Sequence, residues 1–157
     1  MKLVETYVKA PFLKEAPLLI MGECVQAVFP EVCKRFMKGR VVLTSCPEAE
    51  NSGSITAKLA AILVCSNPSE VVVLTVDGSP HCFTLHASVN EALFVTKASV
   101  PSRHFVIVDG KAVGVTPESV RVGRYLHLVQ KCIENNPEVL EDLRRYSLEH
   151  CCLKKAL

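Results

Sequence analysis

Four short apolar runs constrain this chain more than any other feature: LLIM (18–21), VVLTS (41–45), VVVLTV (71–76) and FVIV (105–108). They are rich in β-branched residues and apolar on both faces, as strands buried inside a parallel sheet are. Parallel neighbours require crossover connections, and the segments between the runs have helical character. In VQAVFPEVCKRFMKG, Val28, Val32, Cys33, Phe36 and Met37 fall on one side and Lys34, Arg35 and Lys38 on the other. Pro30 cannot sit deep inside a helix, so this helix is expected to begin near it. Ile55, Leu59, Ile62 and Leu63 recur at helical spacing after the second run, and Leu85, Val89 and Leu93 after the third. The alternation predicts an α/β fold, a three-layer domain with a mainly parallel sheet of four to five strands and right-handed crossovers. Strand orders 2-1-3-4 and 3-2-1-4 both fit.

After the fourth run the pattern changes. FVIVDGKAVGV reads as a hairpin, because Asp109-Gly110 is a strong tight-turn dipeptide. TPESV then opens a helix with Thr116 as N-cap and Pro117 at its first position, and NPEVL repeats the device with Asn136 and Pro137. The chain is therefore expected to end in two helices, over 117–134 and 137–153. There is no repeat, linker or low-complexity stretch, and 157 residues suit one domain with a proper core. That domain is read as 1–157, with 1–16 an N-terminal extension and 117–157 a C-terminal helical pair.

Composition excludes several classes. Mean hydropathy is +0.27, yet no apolar run reaches the ~18 residues of a spanning helix. The opening MKLVETYVKAPFLKEAP carries acids and prolines where a signal peptide needs an unbroken apolar core. A soluble, cytoplasmic protein without membrane attachment is expected. The net charge is only +2, with bases scattered among acids and no aromatic platform, which argues against a nucleic-acid partner. Eight cysteines is a high count, but a chain this long and apolar does not need a disulfide framework.

The cysteines sort by position. Cys33, Cys65 and Cys132 fall on the apolar faces of their expected helices and read as core filler. Cys151 and Cys152 read as exposed or end-packed thiols near the terminus. Cys24, Cys46 and Cys82 each lie just past the carboxyl end of an expected strand, in LLIMGEC, VVLTSC and VVVLTVDGSPHC. In a parallel sheet those three loops converge on one edge, the edge where open α/β sheets bind ligands. Three soft donors there suit zinc or an iron–sulfur cluster, with His81 as a fourth ligand and Glu23 a weaker one. A nucleophilic Cys82 at a helix N-terminus is the competing reading, with His86 one turn further as its conceivable partner. ENSGS (50–54) is a small-residue loop able to hold an anion ahead of a helix, though no P-loop pattern is present. His104 and His127 read as structural.

The stretch LLIMGECVQAVFPEVCKRFMKGRVVLTSCPEAE, with KLAAIL, VVVLTVDGSPHCFTL and EALF after it, resembles the C-terminal region of ferredoxin-domain-containing iron–sulfur cluster-binding proteins of bacteria and archaea. The similarity spans roughly residues 17–112. In that group a "DC" follows the first strand, an "F-x-x-G-K/R-V" precedes the second, a "GCPK" follows it and a "PCC" follows the third. The matching positions here are Glu23-Cys24, Phe36 through Val41, Ser45 through Glu48, and Pro80-His81-Cys82. The resemblance implies an α/β domain with an iron–sulfur or metal role beside a ferredoxin module. The C-x-x-C-x-x-C of such a module has no counterpart in this chain, and His81 replaces the first cysteine of the "PCC".

The expected function is a cofactor-binding or redox accessory protein, its Cys24, Cys46 and Cys82 holding a metal or iron–sulfur cluster, with a ferredoxin or other redox protein as partner and a homo-oligomer open. The alternatives are a cysteine- or zinc-dependent enzyme at the same edge, and a cofactor-free α/β domain that binds a partner protein.

Overall fold

The computed structural model describes residues 1–149, so the readings of Cys151 and Cys152, and the end of the helix expected to reach 153, lie outside the described residues. The chain divides into two compact units, the first running from Met1 to Pro117 and the second beginning at Glu118.

The first unit is an α/β layer fold. Its strands are β1 (Pro17–Gly22), β2 (Val41–Ser45), β3 (Glu70–Val76), β4 (Ser102–Val108) and β5 (Lys111–Val115). They form one sheet in the order β2-β1-β3-β4-β5, the first of the two orders compatible with the sequence. The first four are parallel and β5 returns antiparallel beside β4. Asp109 and Gly110 both have positive φ (48° and 73°), the primed turn that matches the twist of a two-residue hairpin.

Helices cover the two faces. On one side α1 (Val25–Val28) and α2 (Pro30–Met37) lie over Leu19, Met21, Val72 and Leu74. On the other, α3 (Ser52–Ser66) and α4 (Pro80–Thr96) lie over Leu18, Ile20, Leu43, Val71 and Val73. The expected buried line of α3, Ile55, Leu59, Ile62 and Leu63, is buried throughout, as are Leu85 and Val89 of α4. Val71, Val72, Val73 and Leu74 are consecutive and all at most 2% exposed, because the middle strand is covered from both sides. The segment before β1 also packs inward, with Leu3 and Leu13 fully buried and Leu3 N–H donating to Thr44 O at 2.7 Å.

Several helical details differ from expectation. Val28 belongs to the separate four-residue α1 and is exposed, since Phe29 (φ −130°, ψ 59°) breaks the helix just before Pro30. The stretch 117–134 is two helices, α5 (Pro117–Gly123) and α6 (Leu126–Asn135). Gly123 ends the first, and Tyr125 (φ −112°, ψ 87°) stands outside helical geometry. Asn136 does not open the next helix. Its Nδ2 donates to Cys132 O at 3.3 Å and closes α6, and α7 (Val139–Tyr146) starts after Glu138. In the second unit, α6 and α7 contain no buried residue. Cys132 is accordingly exposed rather than core filler. Cys65 is exposed too, because the buried line of α3 runs through Ile62, Leu63 and Ser66 and leaves it on the far side. Only Cys33 is buried as expected, its Sγ 3.5 Å from Met21 Sδ and 3.3 Å from Met37 Sδ.

Candidate functional site at the carboxyl edge of the sheet

In the order β2-β1-β3, the connection leaving β1 runs over one face and the connection leaving β3 over the other. The two therefore part above the β1/β3 pair, the switch point at which open α/β sheets bind ligands. Cys24 follows β1, Cys46 follows β2 and Cys82 follows β3, so adjacent strands deliver the three cysteines to this edge.

Each is fixed by local structure. Cys24 occupies the N-cap position of α1 and is exposed. Cys82 lies in the first turn of α4, where its N–H donates to the Oγ of the N-cap Ser79 at 3.3 Å. Gly22 ends β1 beneath it. A methyl group placed on Gly22 would lie 4.0 Å from Cys82 Sγ and 3.6 Å from Val25 Cγ2, both ordinary van der Waals contacts, which places the end of β1 next to the Cys82 thiol. Burial raises the Cys24 thiol pKa, and the neighbouring Cys82 raises it further, with smaller contributions from Cys46 and Glu23. Cys24 thus lies within electrostatic reach of both other edge cysteines. All six described cysteines are free thiols.

A carboxylate belongs to the same edge and escaped the sequence reading. Glu50 Oε2 accepts from Ser45 Oγ at 2.5 Å and from the Cys46 N–H at 3.3 Å. Its Oε1 is buried and meets no hydrogen-bond donor among the described residues. The only clue in the sequence is spacing: Glu50 stands five residues after Ser45, close enough for a short loop to fold it back onto the strand end. At the rim Lys2 pairs with Glu23 at 3.5 Å, and Glu23 raises the Lys2 pKa. The 50–54 loop leads into α3, whose N-cap Asn51 accepts from Ser54 N–H at 3.1 Å, so a side chain of the loop itself meets one of the helix's first N–H groups.

His81 is exposed in the first turn of α4. Among the described residues, no three His, Cys, Asp or Glu side chains are grouped closely enough to hold a metal ion. The three edge cysteines and His81 therefore do not form such a group.

His86 does not pair with Cys82. It is 2% exposed and turned into the sheet, its Nε2 2.8 Å from Thr75 Oγ1 and its Nδ1 2.8 Å from Nδ1 of the buried His104. Burial, and then the proximity of His104, lower its pKa to about 3, so this histidine is neutral at neutral pH. The nucleophilic reading of Cys82 loses its base. His104 is structural, as its place in a strand suggested, and His127 is exposed beside the Tyr125 ring.

No helix among the described residues is long and apolar enough to cross a membrane. A family model described as a Rossmann-like domain matches residues 10–156. No curated protein and no solved structure gives a match to the chain.

Proposed function

We propose that this chain, which belongs to the Rossmann-like domain family, is a cofactor-binding or redox accessory protein that captures a soft metal or an iron–sulfur cluster at its carboxyl edge. The observation that carries this reading is the delivery of Cys24, Cys46 and Cys82 to one edge of the sheet by three adjacent strands. Thiolate sulfur suits zinc and iron–sulfur chemistry, and Glu50 Oε1 and His81 offer a harder fourth donor. Binding would draw the thiols together and release their protons. Cys24 is exposed at the N-cap of α1, beside Val25, whose burial anchors that end of the helix on the sheet.

Free thiols at this edge suit a reducing compartment such as the cytoplasm. A cluster there would exchange single electrons with a ferredoxin-type partner. The test is elemental analysis and a visible spectrum on protein purified without oxygen, wild type beside Cys82→Ser. Stoichiometric iron with thiolate-to-iron absorption, or stoichiometric zinc, lost in the variant, is the expected result. A colourless, metal-free wild type that also fails to take up zinc or a reconstituted cluster overturns the proposal.

A further inference from the structure

The second unit carries two helices whose apolar residues find no cover. α6 and α7 contain no buried residue, and within the unit they do not pack along one another. Val120 of α5 is the unit's only buried side chain among the described residues. A unit this small is held by an added contact rather than by a core of its own.

α7 has the more telling pattern. Val139, Leu143 and Tyr146 follow one another at spacings of four and three, so they share one side of the helix, and all three are exposed. Charge divides along the axis, with Glu141 and Asp142 in the first turn and Arg144 and Arg145 in the last. That order suits the helix dipole and by itself says nothing about a partner. The angular positions say more. Glu141 and Arg144 form an ion pair with each other, and at 3.6 residues per turn both stand away from the apolar stripe. Asp142 and Arg145 fall together on one flank of it. The Arg145 guanidinium lies over the Tyr146 ring, 5.2 Å from its centroid, and so reaches the rim of the stripe. Asp142 makes no ion pair among the described residues.

This flank selects the occupant. A rim of one sign would suit an anionic membrane or an oppositely charged protein. Here the rim holds an acid and a base three residues apart, which complement themselves when the helix direction is reversed. A two-fold rotation that stacks stripe on stripe keeps each flank on its own side and reverses it. Asp142 of either copy then meets Arg145 of the other, and the apolar residues of each copy cover those of its mate.

We propose that α7 is a dimer contact: it pairs antiparallel with α7 of a second copy of this chain, burying Val139, Leu143 and Tyr146 and setting Asp142 against the second copy's Arg145 twice. The contact is separate from the thiol edge and does not depend on a metal there.

Sedimentation velocity of the full chain across the micromolar range tests this, at low salt and with a thiol reductant to exclude disulfide cross-links. Wild type is expected to dimerise reversibly. Asp142→Arg makes the flank wholly basic and Arg145→Asp makes it wholly acidic, so each alone should associate roughly tenfold more weakly. Mixed in equal amounts the two should form a heterodimer, since every basic position then meets an acidic one. That recovery also requires both variants to be folded. The double variant carrying both changes should dimerise like wild type, and Leu143→Asp should not dimerise. A wild type that stays monomeric overturns the proposal and leaves the face to a different protein. Association unchanged in both single variants places the contact elsewhere on the surface. A mixture no tighter than either variant alone overturns the antiparallel pairing, and a dimer that a chelator dissociates moves the contact to the thiol edge.

Discussion

His86 gives the sharpest quantitative prediction. In the unfolded chain it titrates near 6.5, whereas in the folded protein burial and the neighbouring His104 hold it near 3. Between those values the unfolded state binds a proton that the folded state refuses, so stability falls as pH drops from neutrality toward 3. One proton of difference corresponds to about 1.4 kcal/mol per pH unit, and from pH 7.5 to 5.0 the linkage integrates to roughly 2 kcal/mol. That range lies above most carboxylate titrations, which keeps the acid contribution of Asp and Glu small. Guanidinium unfolding at pH 7.5, 6.5, 5.75 and 5.0 measures it, on wild type and on His86→Gln. Glutamine can still reach Thr75 or His104 but has no proton to take up. The variant is expected to start less stable and to lose clearly less stability across the range. An NMR titration of the wild-type histidines, with His86 neutral down to at least pH 5, checks the same point without a mutation. Parallel slopes for the two proteins, or a His86 resonance that titrates near 6.5, would refute the reasoning.

Other outcomes follow from the same structure. Cys46→Ser and Cys82→Ser should each abolish retention of a bound metal or cluster, while Cys132→Ser, on a helix with no buried residue, should leave it intact; elemental analysis of the three proteins decides. Lys97 ends α4 in the left-handed region (φ 52°) and is exposed, so Lys97→Gly should raise stability by about 0.5–1 kcal/mol, a thermal midpoint shift of roughly 1–4 °C. Gly110→Ala, at φ 73° in the hairpin turn, should lower stability by about 1 kcal/mol in the same assay. Leu59→Ala, buried between α3 and the sheet, should cost about 2–5 kcal/mol by denaturant unfolding without altering the thiol edge.

What was legible in the sequence is what depends on neighbours along the chain. The four β-branched runs became β1 to β4, and the spacing of Ile55, Leu59, Ile62 and Leu63 marked the buried side of α3, because strand and helix periods are local properties. The placement of Cys24, Cys46 and Cys82 after successive strands was equally visible. The strand order was not, since both orders satisfy the same crossover rules and only the packing of the whole sheet selects one. His86 misled because its spacing from Cys82 invited a local partner, whereas its actual partners lie on two strands. Cys65 lies beside the apolar stripe of α3, where a rotation of one residue separates core from solvent.

The strand order has a consequence for the order of events during synthesis. β1, made before the other four strands of its sheet, is an interior strand with partners on both sides, and its side chains LLIM are almost wholly buried. One partner, β2, follows after a short helical segment, but the other pairs only through Val71 to Leu74, roughly 50 residues later. At ~5–20 residues per second a ribosome takes ~3–10 s to cover that distance. During that interval a strand built for burial on both faces has one flank unsatisfied. Whatever shields it then, whether a chaperone or collapse onto α2 and β2, acts before the sheet that finally covers it exists. Slowed translation just ahead of β3 would lengthen this exposure, and aggregation of nascent chains would rise with it.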